Sequence, residues 1–187
     1  MSSPISYFVS RAPTYMALLM KDFEFDELDA AAIMGNAGHE SGGLTIWHEV
    51  GQPDNKGGVG WFQWTGSRRR DYEAYCERNN FNPHTDESNY KFLYTELKGS
   101  ESAAINKTKA AVGLEAKVKA FEMAFERAGV KAYDSRLTWA QRALDAFNAT
   151  DVKPVPIEKP IENPTIASLI QKIKEISGAQ KVSIVLE

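Results

Sequence analysis

Between Gly42 and Gly66 a chain otherwise patterned for helices breaks into glycines, aromatics and turn residues. Gly42-Gly43 stops the helix before it, and Thr45-Ile46-Trp47 and Val59-Gly60-Trp61-Phe62-Gln63-Trp64 are β-prone. Pro53-Asp54-Asn55-Lys56-Gly57-Gly58 is turn chemistry. This predicts a small β-hairpin or irregular β lobe set into a helical bundle, a mainly α fold of the α+β kind with a cleft beside the lobe.

Around that insert the apolar spacing is helical. Residues 13 to 22 read as a helix with Pro13 in its first turn. Asp26 reads as an N-cap, with Asp29 three residues on completing a capping box. That second helix carries Leu28, Ala32, Ile33 and Ala37 and ends near Gly42-Gly43. Further helices are expected over 67–79, 87–98, 101–111, 114–128 and 138–148. In the fourth of these, Val118, Phe121, Met123, Phe125 and Ala128 make an apolar stripe for the core. Near residue 151 the composition shifts to four prolines within 153–164, an extended linker. Beyond it Ile166, Leu169, Ile170, Ile173 and Ile176 share one helical face. The expected organisation is a domain over 1–150, a linker over 151–164, and an amphipathic tail over 165–187. The tail suits docking on the domain, self-association, a partner, or a membrane surface.

Composition excludes several classes. A net charge of -3, spread over both signs, lacks the concentrated basic surface that nucleic acid demands. The single cysteine, Cys76, cannot form an intramolecular disulfide, and its helical setting makes it a buried thiol. No basic and apolar leader opens the chain, and no apolar run is long enough to cross a bilayer. The expectation is synthesis in a cytoplasm without a signal peptide. Action on a cell wall would then follow release through a lesion made by another protein, or delivery by a particle.

The candidate chemistry begins at Glu40, in Gly38-His39-Glu40-Ser41-Gly42-Gly43 on the last turn of the second helix. The negative helix end and partial burial both disfavour an ionised carboxylate there, which suits a general acid. Glycosidic cleavage commonly uses a second carboxyl. Glu49, nine residues on, is preferred to Asp54, whose turn position has a backbone reason. Gln63 and Thr65 alternate on a strand-like segment, so their side chains are expected on one face. There they suit holding a sugar N-acetyl group or a water. Trp47, Trp61 and Trp64 are candidates to stack on sugars or to fill the core. Arg68-Arg69-Arg70 suits either an anionic polymer or a solvated face. His39-Glu40 and His48-Glu49 lack the i, i+4 histidines of a helical zinc motif, and Ser41 lacks a nucleophile's Gly-x-Ser-x-Gly setting. No metal and no cofactor is expected.

These residues resemble bacteriophage lysozymes of the lysozyme-like superfamily. Gly35-Asn36 to Gly42, with Gly60 to Thr65, is similar to phage tail-type lysozymes. His39 to Gly43, Glu49, and Gln63 to Gly66 are similar to family 19 chitinase-like endolysins. Gly58-Val59-Gly60 departs from that branch's Gly-Arg-Gly. The resemblance implies an endolysin or muramidase for host lysis. Its substrate would be the peptidoglycan glycan strand, cut between N-acetylmuramic acid and N-acetylglucosamine. Glu40 would be the acid and Glu49 the base, with Thr65 and Gln63 on the water. An inverting pair would stand about 6.5–9.5 Å apart. The alternatives are a lytic transglycosylase using Glu40 alone, a non-catalytic wall-binding or virion protein of this fold, and chitin as the polymer.

Overall fold

The computed structural model describes residues 3–150. Helix α1 spans Pro4–Phe23, α2 Glu27–Glu40, α3 Gly66–Asn79, α4 Asp86–Lys98, α5 Ala103–Ala110, α6 Leu114–Phe121 and α7 Tyr133–Asn148. A π-helical turn, Glu122–Glu126, continues α6. The linker and tail expected over 151–187 lie outside the described residues.

α2 is the axis of the fold. Asp26 accepts from the Asp29 N–H at 2.7 Å, and Asp29 accepts from the Asp26 N–H at 3.1 Å, the capping box read from the sequence. Every residue from Asp29 to Gly38 is buried, so the helix is covered on all sides by α1, α6 and α7. Its closest neighbour is α7. A Cβ placed on Gly35 would lie 2.5 Å from Ala140 Cβ, so the two backbones meet where neither side chain can be larger. α1 begins nine residues earlier than the spacing suggests. Ser3 caps it and Pro4 takes the first-turn position, while Pro13 is buried within it. The stripe Phe8, Ala12, Met16, Leu19 and Phe23 buries enough apolar surface to offset about 3 kcal/mol for an interior proline.

The β-hairpin lobe is not formed. Residues 45–65 make two isolated bridges, His48 to Val59 and Val59 to Trp64, and among the described residues there is no strand. The reason lies in α4. Trp61 donates its backbone N–H to Asn89 Oδ1 (2.8 Å) and its indole N–H to Asp86 Oδ1 (3.2 Å). Trp64 donates its indole N–H to Glu96 Oε2 (2.8 Å). These bonds pull both indoles inward, and Gln63 between them takes a left-handed conformation (φ 44°), which breaks any alternation of faces. Gly60, at φ 72°, passes so close to Asn89 that a Cβ would stand 2.3 Å from its Oδ1.

The fourth expected helix also departs from its pattern. The α-helical part stops at Phe121, and the π turn's wider winding stacks Phe121 on Phe125 (centroids 4.8 Å apart) while Met123 turns out, 63% exposed. Cys76 is a buried free thiol, and burial raises its pKa.

Candidate active site

α2 stops where its C-terminal groups find partners outside the helix. Ser41 Oγ donates to Ala37 O (2.6 Å) and accepts from Leu44 N–H (3.0 Å). Leu44 sits at φ 65°, an unfavourable conformation for leucine that its complete burial compensates. The chain therefore turns sharply just past Glu40, leaving that side chain at the helix end and 19% exposed.

One helical turn before Glu40, on the same face, stands Asn36. Arg136 of α7 closes on both. Its guanidinium donates to Glu40 Oε1 through Nη2, to Asn36 Oδ1 through Nη1 (2.9 Å), and to Lys131 O through Nε (2.8 Å). The planar fork of the arginine serves all three acceptors at once in fixed directions. Its side chain is 1% exposed. Asn36 is fixed from behind, donating to Ala32 O (2.9 Å) and Val118 O (3.2 Å). Lys131 O is fixed through buried Glu122, which accepts from Ala128 N–H (2.8 Å), Lys131 Nζ (3.0 Å) and Tyr133 Oη (3.0 Å). His39 Nδ1 lies 2.8 Å from Ser135 Oγ, and burial, then the Arg136 charge, hold its pKa below the usual imidazole value.

The expectation for Glu40 weighed a helix end and partial burial alone. Both are present, and Arg136 of α7 in addition faces the carboxylate. Arg136 and the surroundings of Glu40 were not visible in local sequence.

A further carboxyl enters from the π turn. Glu126 is partly exposed, yet its Oε1 is buried and without a hydrogen-bond partner among the described residues. Burial, and then the nearby charge of Glu40, push its pKa well up, while Arg68 and Arg136 pull it down. Arg68 spans the other side, bonded twice to Glu96 (2.7 and 2.9 Å) and once to Phe125 O (3.2 Å), with its guanidinium over the Phe125 ring.

The loop residues divide. Gln63 Nε2 donates to Gly60 O (2.9 Å) and to Ile46 O (3.2 Å), and Ile46 N–H donates to Ser41 O (2.8 Å), so Gln63 is tied to the end of α2. Glu49 is exposed and its Oε2 accepts from Gly58 N–H (2.9 Å); its hydrogen bonds stay within its own loop. Thr65 is exposed at the N-cap of α3 and makes no side-chain cap bond. Gln63 and Thr65 therefore do not share a strand face, because no strand forms among the described residues. Trp61 and Trp64 are buried, at 0% and 1% exposure, so neither indole face is open to a sugar. Trp47 is only partly buried and lines a groove of about 410 Å³. Thr65 lines an adjacent groove that shares Asp54, Arg69 and Glu73 with it, and Glu40 lines neither. Arg69 holds this side of the loop by donating to the carbonyls of Asp54, Lys56 and Gly57 and to Glu73. Two of the three consecutive arginines thus have structural partners, and Arg70 is exposed.

Among the described residues the domain is helical, and Glu40 at the end of its buried helix accepts from Arg136 of α7. The phage tail lysozyme family model matches residues 10–147, and the chain belongs to that family. No curated protein and no solved structure matches it significantly.

Proposed function

We propose that the protein is a muramidase cleaving the bond between N-acetylmuramic acid and N-acetylglucosamine in peptidoglycan. The observation that carries this reading is Glu40, partly exposed at the end of α2 and braced by a buried arginine, in a chain of the phage tail lysozyme family. Glu40 gives its proton to the bridging oxygen as the glycosidic bond breaks. The negative charge that then grows on Glu40 meets a guanidinium already in place, which lowers the cost of the step. Asn36 and Lys131 O keep that guanidinium from swinging away. Water adds to the anomeric carbon and loses a proton to Glu49, oriented by Thr65 and steadied by the loop that Gln63 ties to α2. Trp47 offers an indole face to a sugar ring.

A second reading is favoured by one observation: the hydrogen bonds of Glu49 stay within its own loop. In that case a hydroxyl of the muramic sugar attacks the anomeric carbon and returns its proton to Glu40, giving an anhydro end without added water. As an endolysin, the protein would reach the wall through a lesion made by another protein; as a virion component, a particle would carry it there.

The test is digestion of purified peptidoglycan followed by mass spectrometry of the new ends. The native chain should yield reducing ends carrying one added water, and Glu40→Gln should yield none while its circular dichroism is unchanged. Full cleavage by Glu40→Gln would remove Glu40 from the chemistry. Anhydro ends, with Glu49→Gln fully active, would establish the second reading.

A further inference from the structure

The Glu126 carboxyl of the π turn lies in the field of four other charged side chains: Glu40 from α2, Arg68 from α3, Glu96 from α4 and Arg136 from α7. Of these five, two are cations and three are carboxyls. Arg68 is committed to Glu96 and Phe125 O, and Arg136 to Glu40, Asn36 and Lys131 O. The neighbouring Arg127, which also feels the charge of Glu126, is paired with its own carboxylate, Glu101, at 2.8 and 3.1 Å. The cluster therefore balances two negative charges, and a third carboxylate would stand uncompensated. Glu126 is the carboxyl with a buried oxygen that receives no donor among the described residues. A buried carboxylate oxygen without a donor is costly, and a neutral carboxyl is far less so.

The backbone enforces this placement. The π turn spans Glu122–Glu126 and ends at Arg127 in a left-handed conformation (φ 54°). It is pinned at one end by the three donors on Glu122 and at the other by Arg68 on Phe125 O. Single π turns of this kind persist where a side chain must be aimed at a site.

We propose that Glu126 is a positioning residue for Glu40, the two carboxyls sharing a single proton against the guanidiniums of Arg68 and Arg136. With the proton on Glu126, Glu40 is an anion paired with Arg136. With it on Glu40, Glu126 is the anion that Arg68 and Arg136 attract, and the charge of the cluster is unchanged. Glutamine at 126 removes that second state. Protonating Glu40 then leaves a net positive cluster, so Glu40 holds its proton less well. This inference rests on the hydrolase reading only for its consequence in catalysis.

Glu126→Gln keeps size and hydrogen-bonding shape. Its alkaline limb of kcat/KM should move toward acid by about one pH unit, a tenfold loss on that limb. A residue that only supported the fold would lower activity across the profile without moving the limb. Carboxyl-carbon NMR of selectively labelled glutamate supplies an arm independent of activity: in Glu40→Gln the titration of Glu126 should move toward acid, because its anionic neighbour is gone. An unmoved limb together with an unmoved Glu126 titration would overturn the proposal and leave the hydrolase reading intact. A moved titration in a protein that cleaves no peptidoglycan would uphold the shared proton and overturn the hydrolase reading.

Discussion

Arg136→Met removes the one cation of α7 that the site depends on while keeping an unbranched side chain of similar reach. Three acceptors lose their donor: Glu40, buried Asn36, and Lys131 O. Breaking one side of a buried ion pair costs about 3–5 kcal/mol. Glu40 is 19% exposed and water can take over part of its solvation, so the lower end, ~3 kcal/mol, is the better figure. At about 3 °C per kcal/mol for a domain of this size, Tm should fall by about 9 °C. The assay is a double-mutant cycle with Glu40→Gln, read by urea and thermal unfolding at neutral pH. Glu40→Gln alone leaves the buried guanidinium bonded but without its counter-ion and should cost about 1–3 kcal/mol. The double variant should be more stable than the sum of the singles predicts by about 1.5–3 kcal/mol, the coupling of a charged hydrogen bond. Additivity to within about 0.5 kcal/mol would refute the bracing of Glu40 by Arg136.

Further outcomes follow from other contacts. Gly35→Ala places a methyl 2.5 Å from Ala140 Cβ, forces α2 and α7 apart, and should cost about 1–3 kcal/mol along with most activity, checked by unfolding and wall digestion. Lys117→Met strands the buried Asp29 carboxylate, 2.6 Å from Lys117 Nζ, and should lower stability by about 3–5 kcal/mol; an unchanged Tm would show that Asp29 needs no cation. Because Glu126 has its folded pKa raised, the folded chain keeps a proton that the unfolded chain loses above about pH 4.3. Native stability should therefore fall as pH rises through that window toward the raised value. Glu126→Gln should remove that decline, seen as a flatter plot of unfolding free energy against pH. Arg69→Ala should cost about 1 kcal/mol, since Glu73 and the Asp54 and Lys56 carbonyls it serves are open to water, yet speed hydrogen exchange at Glu49 N–H, whose acceptor Gly58 O lies in the released loop.

Local signals carried well. Asp26 and Asp29 are three residues apart and their capping box is a property of one turn, so it was legible, as was the placing of Glu40 at a helix end. The non-helical nature of the Gly42–Gly66 stretch was legible from its glycines. Its conformation was not, because the indoles of Trp61 and Trp64 are directed by Asp86 and Glu96, 25 and 32 residues away. The spacing of Phe121 and Phe125 fits an α-helix as well as a π turn, which hid the turn and misplaced Met123. Arg136 lies 96 residues from Glu40 on a helix whose own pattern is amphipathic, and nothing near it marks a site. Glu126 was one glutamate among many until its missing donor singled it out.

The pairing of Glu40 with Arg136 has a consequence for biosynthesis. Glu40 is made early and Arg136 almost last among the described residues, and between them the chain must complete α3 to α6 and the π turn. A ribosome-bound or truncated chain ending before Tyr133 has Glu40 but neither the fork that orients it nor the helix that covers α2. Contacts of such long sequence separation form late. Wall-cutting competence should thus emerge only when the domain is finished, and a fragment shed by early termination or by a protease clipping off α7 would be inert.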